Sequence, residues 1–177
     1  MDALIIVDMQ TDFIPGGALP VPDGDAVIPV VNALASEFEF VVATRDWHPP
    51  DHGSFADQGG VWPVHCVAES EGAELAPGVD RALIDVVVDT GRSREADGYS
   101  GFEDTRLDEL LRSRGVDTVH VVGLALDYCV RATALDARRA GFDVVVHLSG
   151  TRPVDVNDGD GERAVAELRS AGVSVVD

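Results

Sequence analysis

The sequence predicts an α/β fold of three layers, in which a six-stranded, mostly parallel sheet lies between two layers of helices. Short apolar runs rich in β-branched residues alternate with amphipathic stretches along the chain, as they do in βαβ units. Most residues of these runs are apolar, which is typical of strands that are covered on both faces. No repeat or shift in composition divides the 177 residues, so we expect one domain over 1–177.

The first half of the chain contains two predicted strands and one predicted helix. Residues 3–7 form a short apolar strand, and residues 26–38 have helical spacing with Asp25 as a candidate cap. The apolar run at 40–43 predicts the second strand. Residues 44–80 then form a long irregular loop, which contains three of the five histidines of the chain.

The second half of the chain repeats the alternation of strand and helix. Four of the five residues at 84–88 are β-branched, and this run predicts the third strand. Residues 103–114 place their leucines on one helical face. The last predicted elements are a strand at 116–122, a helix at 130–140, a strand at 144–147, a helix at 160–171 and a strand at 173–176.

The charge of the chain is strongly negative. Its net charge of −19 comes from 32 acidic and 13 basic side chains, and every basic side chain is arginine, because the sequence contains no lysine. Such a charge repels nucleic acids and anionic membranes, so neither is an expected partner. A surface of this kind is typical of proteins from a salty cytoplasm, although GC-biased coding is an alternative cause of the missing lysine.

The location predicted from the sequence is the cytoplasm. No basic and apolar N-terminal signal is visible, and no apolar run is long enough to span a bilayer. The two cysteines do not make a disulfide framework, which agrees with a reducing compartment. The sequence leaves the number of subunits open, and a homo-oligomer is compatible with it.

Cys129 lies between the predicted strand at 116–122 and the predicted helix at 130–140. Asp127 is a candidate N-cap of that helix, which places Cys129 in its first turn. Free backbone N–H groups and the helix dipole favour a thiolate at such a position. Cys129 is therefore a candidate nucleophile. The alternative is a small buried hydrophobe, which is the usual fate of a free cysteine.

The long loop contains a candidate metal site. Asp46 and His48 lie two residues apart just after a predicted strand, so their side chains share a face in extended backbone. His52 and His65 follow in the same loop. One carboxylate with two or three imidazoles suits a single divalent ion, with zinc the first choice and iron or manganese as alternatives. The competing interpretation is a solvated loop whose histidines are hydrogen-bonded.

Asp8 follows the first predicted strand, and an aspartate at this place argues against dinucleotide binding, a common function of this fold class. A dinucleotide-binding protein has a Gly-x-Gly-x-x-Gly loop at this place, but the chain reads Asp8-Met9-Gln10 there. A carboxylate would repel a pyrophosphate. Like the other residues singled out, Asp8 comes after a strand, where ligands bind in parallel sheets.

Five segments of the chain resemble a known family. They are Asp8–Phe13 (DMQTDF), Arg45–His52 (RDWHPPDH), Trp62–Cys66 (WPVHC), Asp97–Phe102 (DGYSGF) and Gly123–Val130 (GLALDYCV). Together and in this order they look like the nicotinamidase/pyrazinamidase branch of the isochorismatase-like cysteine hydrolases. The Asp-x-His with a downstream Trp-Pro-x-His is specific to the metal-binding branch of that family.

The resemblance implies a reaction and the residues that perform it. Nicotinamide would be hydrolysed to nicotinate and ammonia through a thioester on cysteine. Cys129 would be the nucleophile and Asp8 the general base. The backbone N–H groups of Ala125 and Cys129 would form the oxyanion hole, with a cis peptide before Ala125.

The resemblance also implies a metal site and a ring pocket. Asp46, His48 and His65 would hold the metal that binds the pyridine nitrogen. His52 is a further candidate, because the family varies in its additional ligand. The residues implied to line the ring pocket are Phe13, Trp62 and Tyr99.

One position departs from the family pattern. The family completes its catalytic triad with a lysine directly before a glycine, after the third strand, and the chain has Thr90 before Gly91 there. A threonine can donate a hydrogen bond but supplies no positive charge, so the thiol of Cys129 is harder to deprotonate. Arg92 or Arg94 could replace the cation, although a guanidinium differs in shape. The sequence therefore leaves three interpretations open: a weakened amidohydrolase of nicotinamide, a metal-containing ligand-binding relative, or a hydrolase of another small amide.

Overall fold

A computed structural model describes all 177 residues and contains one sheet of six parallel strands. The strands are β1 (Asp2–Val7), β2 (Val41–Asp46), β3 (Val86–Thr90), β4 (Thr118–Leu124), β5 (Asp143–Arg152) and β6 (Ser174–Val176). The α-helices are α1 (Ile28–Ala35), α2 (Leu107–Ser113), α3 (Arg131–Arg139) and α4 (Asp160–Ser170). The strand order is β3-β2-β1-β4-β5-β6. The predicted fold class is confirmed, and the sheet is wholly parallel.

The two faces of the sheet bury two separate apolar clusters. Ala3, Ile5 and Val7 of β1 point into a cluster that includes residues of α2, α3 and α4. Leu4 and Ile6, which alternate with them, point into a second cluster with α1 and the chain that precedes β3. Both faces of the central strand are therefore covered, which explains why β1 is apolar at every position after Asp2.

The strands β2 and β3 extend further than their apolar runs predict. The predicted strands end at Ala43 and Val88, whereas β2 continues to Asp46 and β3 to Thr90, and these two end residues are paired across the strands. Polar side chains can occupy these strand ends because they find partners there. The guanidinium of Arg45, for example, donates from Nε to Asp89 Oδ1 at 2.6 Å.

The predicted helix caps are wrong. Residues 24–27, including Asp25, form a 3₁₀ turn, and α1 begins only at Ile28 without a side-chain cap. Asp127 lies inside a wide π-type turn, Leu126–Val130, that leads into α3. Its carboxylate accepts hydrogen bonds from the backbone N–H groups of Val154 and Asp155, at 2.9 Å each. Asp127 therefore anchors the loop after β5 instead of capping a helix.

The strand order reverses between β1 and β4, which leaves a crevice at the carboxyl ends of these two strands. The strand order runs outward from β1 in both directions, and in such sheets ligands bind beyond the carboxyl ends of the strands where the order reverses. Gly123 allows the two strands to approach closely there, because a Cβ at this residue would collide with the carbonyl of Val7. No helix of the structure has the length and apolar character needed to cross a lipid bilayer.

Candidate active site

Cys129 and Asp8 meet at the carboxyl end of the sheet. Asp8 directly follows β1, and Cys129 lies in the turn that follows β4. The Cys129 sulfur lies within 4.8 Å of a carboxylate oxygen of Asp8 and of one of Asp46. All three residues are buried, and only 1% of Asp8 is exposed. The predicted nucleophile and the predicted base are therefore brought together, with a second carboxylate beside them.

The conformation of Asp8 directs its carboxylate into this space. Its φ of +47° lies in the left-handed region, which aspartate tolerates better than most residues. The hydroxyl of Thr44, on the neighbouring strand β2, donates to Asp8 Oδ1 at 2.6 Å. The backbone N–H of Asp8 donates to the Thr44 carbonyl at 3.2 Å. Thr44 was not predicted as a site residue, and its place in an apolar strand gave no indication of this role.

The electrostatics of this space favour protonated groups. Burial raises the pKa of Asp8 well above its ordinary value, and the negative charge of Asp46 raises it further. Burial also raises the pKa of the Cys129 thiol, and the charge of Asp8 adds to the effect. No arginine compensates, because Arg92 and Arg94 are both exposed and Arg94 contacts Gln58 instead.

Three of the predicted metal ligands form a compact group. Asp46, His48 and His65 each place one ligand atom within 4.8 Å of the others, and all three are buried. Asp46 Oδ2 lies 3.3 Å from Nε2 of His48 and 3.9 Å from Nε2 of His65. The sequence spacing that placed Asp46 and His48 on one face is thus realised at the end of β2.

Both imidazoles are oriented as metal ligands. His48 Nδ1 donates to the carbonyl of Gly91 at 2.9 Å, and His65 Nδ1 donates to the carbonyl of Pro63 at 2.8 Å. Because a carbonyl can only accept, Nδ1 carries the proton and Nε2 can offer its lone pair to a cation. Gly91 also leaves space for the His48 ring, which any side chain at this residue would strike.

The pKa values of the two imidazoles shift in opposite directions. Burial lowers the pKa of His48, but its hydrogen bond to Asp46 and the charge of that carboxylate outweigh burial and raise it overall. Burial lowers the pKa of His65. A buried set of one carboxylate and two imidazoles fits a divalent ion such as zinc.

His52 lies beside this group and not in it. Its ring stacks on His48 with 3.9 Å between the centroids. Its Nδ1 lies 2.7 Å from the hydroxyl of Ser54, while its buried Nε2 has no hydrogen-bond partner. Burial, assisted by the charge of His48, lowers the pKa of His52 to about 4. The ring therefore stays neutral and available, although it is not among the three clustered ligands.

Gln10 and Asp12, which were not predicted as site residues, hold the backbone around the metal group, which is the cluster of Asp46, His48 and His65. Gln10 donates from Nε2 to the carbonyl of Asp46 and accepts its backbone N–H at Oε1, both at 2.8 Å. Asp12 accepts the backbone N–H of Cys66 at 2.7 Å, next to His65. Their position in the segment that carries Asp8 was the only indication available in the sequence.

An aromatic pocket opens above Cys129. Phe13, Trp62 and Tyr99 line it, together with Cys129 and the metal group, and it encloses about 490 Å³ up to its open mouth. Trp62 Nε1 donates to the hydroxyl of Tyr99 at 2.9 Å, which fixes both rings. Further lining residues, not predicted, are Leu19, Val21, Ser54, Asp97, Tyr128 and Val154. A pocket with this aromatic lining suits a planar ligand.

Two details complete the surroundings of Cys129. Ala125 lines the pocket, and the peptide bond between Leu124 and Ala125 is cis, as the resemblance implies. The ring of Tyr128, the residue before Cys129, packs edge-on against Trp62 with 5.1 Å between centroids. Tyr128 therefore connects the turn that carries Cys129 to the wall of the pocket.

Comparison with known proteins identifies the family. The profile of the isochorismatase domain matches residues 2–177. The chain is 41% identical to the nicotinamidase of Escherichia coli (strain K12) over 198 residues, which covers 98% of this chain and 93% of that protein.

Two solved structures are similar over nearly the whole chain. The pyrazinamidase of Pyrococcus horikoshii in complex with zinc superposes with a TM-score of 0.94 at 46% identity, covering 99% of this chain and 98% of that one. PnC1 from L. infantum in complex with nicotinate superposes with a TM-score of 0.95 at 43% identity, covering 100% and 92%. By profile, sequence and structure, the chain belongs to the isochorismatase family, in its nicotinamidase/pyrazinamidase branch.

Proposed function

We propose that the chain is a cysteine amidohydrolase of one domain that converts nicotinamide to nicotinate and ammonia. The observation that carries this proposal is the placement of Cys129 in the wall of an aromatic pocket, with the carboxylate of Asp8 within 4.8 Å of its sulfur and with Asp46, His48 and His65 lining the same pocket. The similarity to nicotinamidases and to a nicotinate-bound structure supports a pyridine carboxamide as the substrate.

The proposed reaction has two halves. Asp8 accepts the thiol proton as the Cys129 sulfur attacks the carboxamide carbon, and the oxyanion accepts hydrogen bonds from the N–H groups of Ala125 and Cys129. The carbon–nitrogen bond then breaks, and Asp8 returns the proton to the leaving nitrogen, which departs as ammonia. Asp8 next takes a proton from water as the water oxygen attacks the thioester carbon. The carbon–sulfur bond then breaks, Asp8 returns the proton to the Cys129 sulfur, and the acid product loses its proton to solvent and leaves as nicotinate.

The metal group and the aromatic walls would position the substrate. Asp46, His48 and His65 would hold one divalent ion, for which zinc is the first choice because the P. horikoshii relative was solved with zinc. When bound, this ion would supply a Lewis acid that binds the pyridine nitrogen and anchors the ring. Trp62 and Tyr99 would then confine the ring on its faces.

One observation favours a second function. The chain has no lysine, and Arg92 and Arg94 are exposed, so no lysine or arginine offsets the burial that makes the thiolate of Cys129 costly to form. A protein with this site could bind the pyridine ring and turn it over slowly or not at all. Another small amide is a weaker candidate substrate, because an aliphatic amide would leave the aromatic walls and the metal group without partners.

The test is ammonia release from nicotinamide by purified protein whose metal content is measured on the same sample. We expect zinc-loaded protein to release ammonia from nicotinamide and pyrazinamide, and Cys129→Ala to release none while retaining fold and metal. If Cys129→Ala keeps more than a few per cent of the activity, Cys129 is not the nucleophile. If the wild type binds nicotinamide tightly without turnover, the ligand-binding function is correct instead.

A further inference from the structure

We infer that Thr90, which stands where the family has its catalytic lysine, is a positioning residue of the metal site: its hydroxyl orients the carboxylate of Asp46. Thr90 is the last residue of β3 and lies directly across from Asp46 at the end of β2. Only 2% of Thr90 is exposed. Its hydroxyl oxygen lies 3.1 Å from Asp46 Oδ1 and 3.2 Å from the carbonyl of Arg45.

The charge of the two acceptors decides where the hydroxyl proton points. A threonine hydroxyl has one proton, so it cannot donate fully to both oxygens. A carboxylate accepts a stronger hydrogen bond than a neutral carbonyl at the same distance. We therefore assign the proton to Asp46 Oδ1. The structure contains no hydrogen bond from Thr90 to Asp8 or Cys129, so Thr90 does not reproduce the lysine interaction with those two groups.

This hydrogen bond restricts the rotation of the Asp46 carboxylate, which the other contacts of Asp46 leave unrestricted. Gln10 fixes the backbone of Asp46 on both sides of its Cα, through the N–H and the carbonyl. The carboxylate can still rotate about its last bond, where the torsional wells are broad. With Oδ1 bound to Thr90, Oδ2 is the oxygen that faces the Nε2 atoms of His48 and His65.

The same hydrogen bond gives a donor to Asp46 Oδ1, the buried carboxylate oxygen that does not face His48 or His65. A buried carboxylate oxygen without a donor is costly, and groups that hydrogen-bond a metal ligand typically change metal affinity about 10- to 100-fold. A valine at residue 90 keeps the shape of threonine and loses this donor. A serine keeps the donor and loses only a methyl group.

The test uses apo-protein and zinc alone, with affinity measured by competition against a chromophoric chelator. We expect Thr90→Val to bind zinc about 10- to 100-fold more weakly than wild type and Thr90→Ser to stay within about threefold. The matched control is Thr151→Val, because Thr151 is equally buried, has a hydroxyl without a partner and lies outside the pocket. It should bind zinc like wild type.

The outcomes separate this inference from the proposed metal site on which it rests. Wild type that fails to bind zinc overturns both. Wild type that binds zinc while Thr90→Val binds it equally well overturns only the role of Thr90, as does equal weakening by Thr151→Val. Melting of the apo-proteins shows whether Thr90→Val folds, and if it does not, Thr90→Ala serves in the same comparison.

Discussion

Three acidic groups share a buried space at the candidate active site. Carboxylates of Asp8 and Asp46 and the thiol of Cys129 lie within 4.8 Å of one another. The absence of lysine from the whole chain means that no ammonium can neutralise them. An ammonium about 4 Å from a carboxylate is worth ~4 kcal/mol at an effective dielectric constant of 20, so one charge at residue 90 would change the chemistry strongly.

We predict that Thr90→Lys raises nicotinamide turnover per zinc-loaded site. The added ammonium would stabilise the Cys129 thiolate and the Asp8 carboxylate, with a gain of about 10²-fold or more expected for one positioned charged partner. The measurement is ammonia release, and iodoacetamide should also alkylate Cys129 faster at neutral pH. Thr90→Met is the matched control, because it adds length without charge.

Unchanged turnover in a folded, zinc-loaded Thr90→Lys variant would show that residue 90 does not occupy the place of the third catalytic group. Faster turnover in Thr90→Met as well would assign the effect to length instead of charge.

At the residue level, the sequence predicts candidate catalytic and metal-binding side chains better than it predicts the side chains that position them by hydrogen bonds. Asp8, Cys129 and the candidate metal ligands can be predicted by type, spacing and resemblance, and the structure brings them close together. Gln10 and Thr44 cannot, because their roles consist of hydrogen bonds to residues 36 positions away. Such partners become visible only when parallel strands bring distant segments to one edge.

At the level of elements, the paired ends of β2 and β3 fix the position of Asp46 in the candidate metal site. The apolar runs predict strands that stop short of these ends, and the sheet continues because polar residues there find partners. Arg45, for example, pairs with Asp89 and lies over the Trp47 ring, with its guanidinium carbon 3.7 Å from the ring centroid. Asp46 is therefore held on a strand, where it is positioned more rigidly than on a loop.

We predict that His48→Ala and His65→Ala lose most of the bound metal, because each removes one of only three clustered ligands. Elemental analysis of purified protein should give about one divalent ion per chain for wild type and clearly less for both variants. His147→Ala, which removes a histidine outside the pocket, should leave the metal content unchanged. A metal-free wild type that still binds nicotinamide tightly would contradict the proposed site.

A second pair of histidines joins β4 and β5 away from the active site. His120 Nδ1 and His147 Nε2 lie 2.8 Å apart, which requires one of these nitrogens to lack a proton. Asp2 lies 3.6 Å from the other ring nitrogen of His120, and the charge of Glu37 also acts on His147. Burial and the neighbouring His120 lower the pKa of His147 below its ordinary value of 6.5.

We predict that this pair makes the fold less stable in mild acid. Because the pKa of His147 is lower in the folded state than in the unfolded state, the unfolded chain binds more protons as the pH falls through 6.5. Stability contributed by neutral His147 is present above that pH and is lost below it. The urea midpoint of apo-protein should therefore fall less between pH 8 and pH 5 in His147→Gln than in wild type. Equal falls in the two proteins would contradict the prediction.

At the level of the whole molecule, the net charge of −19 opposes folding through self-repulsion. Several of the arginines are engaged in surface ion pairs, such as Arg131 with Glu167 at 2.8 Å, and exposed pairs of this kind contribute little. The excess of acidic groups therefore remains largely uncompensated unless dissolved salt screens it. Screening over about 10 Å is already effective at 0.1 M salt.

We predict that the melting temperature of apo-protein rises steadily between low and molar KCl. A gain of 1–2 kcal/mol corresponds to roughly 2–8 °C for a chain of this size, which calorimetry resolves easily. NaCl should act like KCl at equal ionic strength, because screening does not depend on the identity of the cation. A flat response would favour GC-biased coding over a salty cytoplasm as the origin of the missing lysine.

The overall architecture was the most predictable level. Alternating apolar runs and amphipathic stretches predict the α/β/α layers and the number of strands, because burial on both faces leaves a clear pattern in each strand. The helix caps and strand ends were less predictable. Asp25 and Asp127 have the right chemistry for caps, but Asp127 instead binds two backbone N–H groups of a loop that lies far away in sequence.

The segment Asp8–Phe13 has a consequence for how this site can evolve. Asp8 is the proposed base, Gln10 hydrogen-bonds the backbone of Asp46, and Asp12 hydrogen-bonds the loop that carries His65. Phe13 lies against the ring of His65 and lines the pocket. A substitution in this stretch therefore changes more than one part of the site at once. New substrate preferences should arise more readily in lining residues outside it, such as Leu19 and Val154.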